Sequence, residues 1–228
     1  MIRLRRGTVL EARVAHPGLT DVVVELDGAR APAVAYDTLT PQIAPGDIVL
    51  LNTAALELGL GTGGVHLVLA VEGRETPAPV RGHAMKLRYS PLQVPVDAVE
   101  ETHREEIDAL RSLDGLPVVV APLHSALAPT VVGARSAGPT ARIVYVMSDL
   151  AALPIAFSRT VPALRAAGLL DATITTGQAF GGDYEAVTLP GALAAAKAVL
   201  EAVVVVVAMG PGNLGTGTRW GSAALETA

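Results

Sequence analysis

Four short polar segments in the second half of the chain hold the residue types that do chemistry. Leu123-His124-Ser125 sets an imidazole beside a hydroxyl, and Ser148-Asp149 sets a hydroxyl beside a carboxylate. Residues 177–185 form a glycine-rich run that ends in two carboxylates, and residues 210–218 interleave glycines with Asn213, Thr216 and Thr218. An imidazole with a pKa near neutrality can move a proton at a strand end, so His124 is a candidate catalytic residue, and Asp149, a carboxylate after the next strand, is the other. Asp183 and Glu185 follow the pair Gly181-Gly182 and could hold Mg2+ or another divalent cation through one or two carboxylates plus ligand oxygens. The candidate cofactor-binding set is Gly181, Gly182, Gly210, Gly212, Asn213, Gly215, Thr216, Gly217 and Thr218, because bare backbone N–H groups and hydroxyls can cradle an anion.

Each segment also has a structural reading. A lone histidine can simply hydrogen-bond to its neighbours, Asp183 before an alanine-rich stretch suits a helix N-cap, and glycines serve crowded turns. Residues 210–215 match G-x-G-x-x-G. A dinucleotide fingerprint opens the first strand–helix unit and is followed by an acidic residue about 20 positions on. This copy comes last and runs into Thr216-Gly217-Thr218-Arg219, so a nicotinamide cofactor is disfavoured. Thr216 also stands where the phosphate-binding lysine of a P-loop would follow Gly215. No serine lies in G-x-S-x-G, so Ser125 lacks the setting of a nucleophile elbow. His16, His66, His83 and His103 are scattered among turns, strands and a surface helix and are not read as metal ligands.

The elements that must position these residues are strands followed by helices. Residues 117–121, 142–147, 172–176 and 203–209 are near-continuous apolar or β-branched runs separated by alanine- and leucine-rich stretches of helical length. That alternation predicts a parallel sheet with covered faces, a Rossmann-like, three-layer α/β domain over 116–228. All four polar segments follow strands, so they converge on the carboxyl edge where such sheets bind ligands. The best-formed helices are expected at 151–167, kinked or split by Pro154 and Pro162, and at 190–202, capped by Thr188. Residues 1–80 read differently. Runs at 8–14, 21–26, 33–36, 47–52 and 65–71 are broken by His16-Pro17-Gly18, Asp27-Gly28, Pro45-Gly46-Asp47 and residues 59–64, which predicts a small β-barrel or sandwich. Residues 81–115 are expected to link the two domains, with Pro77, Pro79, Pro91 and Pro95 marking the change of composition. Residues 97–113 within it are expected to form a surface helix with Asp97 as N-cap and Glu100 at N3.

Composition narrows the field. The 228 residues are 50% apolar but only 3% aromatic, and the chain has no cysteine. Disulfides, thiolate catalysis and zinc-thiolate sites are thereby excluded. A formal net charge of -5 argues against a nucleic-acid partner, which needs clustered cations. No signal peptide can be assembled from Met1 onward, and the apolar run 202–209 is too short to span a membrane, which takes about 20 residues. A cytoplasmic location and no membrane contact are expected.

Residues 176–187 and 209–218 together resemble an uncharacterised conserved bacterial family classed as a domain of unknown function. Residues 83–89, Pro122-Leu123-His124-Ser125 and 145–149 fit the same pattern. The resemblance spans nearly the whole chain and implies that the strand-end loops distinguish the family, without supplying a reaction. It also implies that members continue beyond the last glycine loop into a histidine-bearing segment, so a chain ending at Ala228 is expected to be short of it. The expected function is binding of a small anionic metabolite or nucleotide at the glycine-rich loops, with metal-assisted catalysis open. The alternative is a non-catalytic regulatory or scaffold protein that docks a partner through its N-terminal β module. A homo-oligomer fits either reading.

Overall fold

The computed structural model describes residues 2–60, 63–76 and 82–226. Gly61 and Thr62 of the expected turn, and Pro77 and Pro79, lie outside the described residues. The chain divides into two compact units, Met1–Pro79 and Val80–Ala228.

In the first unit β1 (Leu4–His16), β2 (Leu19–Leu26), β3 (Ala29–Tyr36), β4 (Ile48–Asn52) and β5 (His66–Val71) close into a barrel in the order β1-β2-β3-β5-β4. The barrel form of the two expected alternatives is the one adopted. β1 makes closure possible, because it pairs antiparallel with β2 along one edge and with β4 along the other. Alternation along the strands turns Val9, Val22, Val24, Val49, Leu51 and Val68 inward to form the core. Asp27 and Gly28 both take positive φ (53° and 79°), as a two-residue hairpin turn between β2 and β3 requires. One helical turn, α1 (Ala54–Glu57), follows β4.

The second unit begins with a two-stranded antiparallel ribbon, β6 (Ala84–Lys86) and β7 (Val94–Val96), and two short helices, α2 (Val99–Thr102) and α3 (Arg104–Ala109). The alternating part follows as β8 (Val118–Ala121), α4 (Leu127–Ala137), β9 (Ile143–Ser148), α5 (Thr160–Ala166), β10 (Ala172–Thr175), β11 (Tyr184–Glu185), α6 (Leu189–Ala198) and β12 (Val204–Met209). The five strands β8 to β12 form one parallel sheet in the order β11-β10-β9-β12-β8. Alternate residues of β9 divide between two cores. Val144 and Val146 pack with Ala192, Ala195 and Ala196 of α6, whose small side chains let the helix lie close to the strands. Ile143, Tyr145 and Met147 pack with Leu127 and Val131 of α4 and Leu164 of α5. Among the described residues no helix is long and apolar enough to cross a membrane.

Three expectations are corrected. The helix expected over 97–113 is broken at His103 (φ -126°, ψ 40°) into α2 and α3, and its N-cap is Ala98, with no side-chain cap. Glu100 does not complete a capping box, because its Oε1 accepts from the Val187 N–H at 2.9 Å instead. The helix expected over 151–167 begins only at Thr160, after a single 3-10 turn at Ile155–Phe157, since Pro154 sits in extended backbone. The sheet, expected to have covered faces, is partly bare at β8. β8 is the sheet's edge, and Val119 and Val120 are exposed. Thr188 does cap α6, its hydroxyl accepting from the Gly191 N–H at 3.1 Å, but that helix closes at Ala198.

Candidate functional site

β8 and β12 are parallel neighbours with Ala121 opposite Ala208, so the chain leaves both strands at the same level. A cleft of about 310 Å³ opens there. One wall is Leu123, His124 and Ser125, the other is Met209 to Asn213, and Thr160 at the start of α5 completes it. The first wall is a 3-10 turn, His124–Ala126, that runs directly into α4. The second wall needs glycine at 210, because a Cβ there would collide with the Ala152 carbonyl oxygen. Ala152 N–H in turn donates to the Pro211 carbonyl at 3.1 Å, which pins the loop from behind.

His124 is buried at the cleft's base, and both ring nitrogens are engaged. The Tyr145 hydroxyl donates to the Met209 carbonyl at 2.9 Å, so at its 3.2 Å contact with His124 it can only accept. That places the imidazole proton on Nδ1 and leaves Nε2 to accept from the Ser158 hydroxyl at 2.8 Å. Ser158 Oγ also accepts from the Val161 N–H at 3.0 Å and so closes the first turn of α5. One directed chain of hydrogen bonds therefore ties the starts of α4 and α5, the middle of β9 and the end of β12 together. Burial holds the His124 pKa below its ordinary value, with the Met209 carbonyl acting in the opposite sense, so the ring is neutral at pH 7. Burial likewise pushes the Tyr145 phenol well above its usual value.

At the other glycine-rich strand end the carboxylate oxygens are already taken up by protein donors, and in that sense the end is closed. Asp183 Oδ2 accepts from Arg165 (2.7 Å), the Thr173 N–H (2.8 Å) and the Thr173 hydroxyl (3.0 Å), while Oδ1 accepts from Arg165 at 3.2 Å. Glu185 accepts from the Thr175 hydroxyl and from the Gly181 N–H, each at 2.6 Å, and its Oε2 lies 3.4 Å from Lys86 Nζ. Lys86 is 2% exposed and also donates to the Ala186 carbonyl at 2.9 Å. Burial lowers the Lys86 pKa and raises that of Glu185, each partly offset by the other's charge. Gly182 N–H is used by the Thr175 hydroxyl at 3.2 Å, and Asp149 accepts from the Gln178 N–H at 2.9 Å.

Of the residues singled out by sequence, the cleft brings together His124, Gly210, Gly212 and Asn213. Asp149, Gly181, Gly182, Asp183 and Glu185 do not line it, and neither do Gly215, Thr216, Gly217 and Thr218, which fold into a tongue beyond Asn213. Asp183 and Glu185 are each held by a different cation, and among the described residues no group of three or more His, Asp or Glu side chains is arranged to hold a metal ion. Sequence reading missed several residues of these networks, Arg165, Thr173 and Thr175 as well as Tyr145, Ser158 and Lys86. Tyr145 lies inside an apolar strand, where only its parity with Met147 marks its face. Ser158 had a local signal, a hydroxyl three residues before a helical N–H. Lys86 had none, because its partner is remote in sequence.

Residues 32–228 match the model of a family described as Protein of unknown function (DUF3866), and the chain belongs to that family. No curated protein matches the chain.

Proposed function

Starting from membership of a family whose description assigns no function, we propose that the second unit binds a small anionic metabolite or nucleotide in the cleft beyond β8 and β12. The observation that carries this reading is the cleft itself. It sets the opening turn of a helical segment, His124–Ala126 followed by α4, against the glycine-bearing wall Met209 to Asn213. The start of a helix offers backbone N–H groups and the positive end of its dipole, both of which favour an anion. Ser125 and Thr160 add hydroxyls at the rim. His124 serves chiefly to fix the geometry, since proton transfer to a ligand would first require Nε2 to part from Ser158. The unit is read as a doubly wound, Rossmann-like sheet, a reading supported by α4 and α5 sharing one core while α6 belongs to the other.

No cation at Asp183 and Glu185 enters the proposal, because binding there would have to displace Arg165 from one carboxylate and Lys86 from the other. Thermal unfolding in the presence of inorganic phosphate, pyrophosphate and nucleoside phosphates tests it. A ligand at 100 times its Kd adds about 2.7 kcal/mol, which raises the melting temperature by several degrees. A cooperative melt that no anion of this panel displaces overturns the reading.

A further inference from the structure

The cleft wall continues without a break into the tongue. Asn213 lines the cleft and roots the tongue, its amide donating to the Ser222 hydroxyl at 3.1 Å and its Oδ1 accepting from the Ala224 N–H at 3.2 Å. Gly215 and Ser222 form an antiparallel bridge, and the Thr216 N–H donates to the Gly221 carbonyl at 2.8 Å. The Thr216 and Thr218 hydroxyls, expected from sequence to hold an anion, bond to each other at 2.8 Å. The tongue is thus folded on itself and needs no ligand to hold its shape.

At its turn the tongue carries Arg219 and Trp220, with the guanidinium 4.8 Å from the centroid of the indole ring. Trp220 is nevertheless 77% exposed, and Leu214 at the base of the tongue is exposed too. In a chain that is 3% aromatic this is the sole tryptophan, and it stands in water with a cation on one face. A flat indole backed by a guanidinium is a platform on which a nucleobase stacks.

We infer that the anion taken by the cleft is a nucleotide, with its phosphates against the Met209 to Asn213 wall and its base on Trp220. The inference rests on the anion-binding reading of the cleft and names the ligand class within it. Fluorescence of the single tryptophan reports base stacking directly, and calorimetric titration with ADP, adenosine and pyrophosphate separates base from phosphate. The expected result is that ADP quenches the emission and binds more tightly than pyrophosphate. In W220A the affinity for ADP falls about tenfold, as for the loss of one base–aromatic stack, while that for pyrophosphate is unchanged. If W220A binds ADP as tightly as the native chain, or if native protein binds pyrophosphate and ADP equally well, the nucleotide assignment is wrong while the anion cleft stands. If native protein binds neither, the cleft reading has failed and this inference falls with it.

Discussion

At the β10/β11 end of the parallel sheet every carboxylate that sequence offered is already held. Arg165 and Thr173 hold Asp183, and Lys86, Thr175 and Gly181 hold Glu185. At the β8/β12 end the chain leaves a cleft, and the polar groups beneath it are bonded to one another so as to brace its two walls. The two ends share glycines, hydroxyls and a position after a strand. What separates them is the number of charges. A carboxylate withdrawn from water, as Glu185 is, is stable only when its oxygens are satisfied, so this acidic strand end recruits cations and N–H groups. The ion pair of Asp183 with Arg165, by contrast, lies at the surface. A strand end furnished with a neutral histidine, a tyrosine and backbone has no such demand and can stay open.

The sharpest way to break this contrast is to unbalance the closed end. Lys86→Met leaves the Glu185 carboxylate buried without its cation and should destabilise the protein by about 3–5 kcal/mol in urea unfolding. Replacing both residues by methionine should recover part of that loss, because neither charge is then left buried alone. If K86M unfolds at the native urea midpoint, the closed end is not held by this pair. Gly210→Ala probes the open end. Its Cβ would displace the Ala152 carbonyl, and overpacking of this kind lowers stability by about 1–3 kcal/mol. The same substitution should abolish any anion-induced rise in melting temperature.

Much of the architecture was legible because it rests on local pattern. The valine-rich runs at β9 and β12 and the Asp27-Gly28 turn declare themselves over a few residues. The residues that decide between open and closed ends did not, for reasons of range. Glu100 has the spacing of a capping residue, but its best donor, the Val187 N–H, comes from a segment that only the fold brings near. Lys86 sits in a three-residue strand with no periodicity of its own, yet it fixes what Glu185 does. Gly181 and Gly210 are indistinguishable as letters. The first spends its N–H on a carboxylate, and the second is small because a carbonyl passes behind it.

Asp183→Asn separates stability from binding. It removes the charge that Arg165 and Thr173 share and, because that pair is solvent-screened, should lower stability by only about 1 kcal/mol, while the anion-induced melting shift at the β8/β12 cleft remains. Loss of that shift in a folded D183N protein would mean that the two strand ends are not independent.

The smallest effect lies in the pH dependence of the open end. Burial lowers the His124 pKa below the value of about 6.5 that it has in the unfolded chain. Between the lowered pKa and the unfolded one, the unfolded state binds more protons than the folded state, so stability rises with pH across that window. The contribution is complete above the unfolded pKa and is lost as the pH falls below it, with a slope of at most about 1.4 kcal/mol per pH unit. The side-chain amide introduced by His124→Gln could still donate and accept but would not titrate. Subtracting the stability of that variant from that of the native protein between about pH 7 and pH 5 therefore isolates this one group. A difference that shrinks on acidification shows that burial keeps His124 neutral in the folded protein, the state in which Nε2 can accept from the Ser158 hydroxyl. A difference that stays flat would mean that His124 takes up a proton as readily in the folded protein as in the unfolded chain, and that burial does not hold the ring neutral.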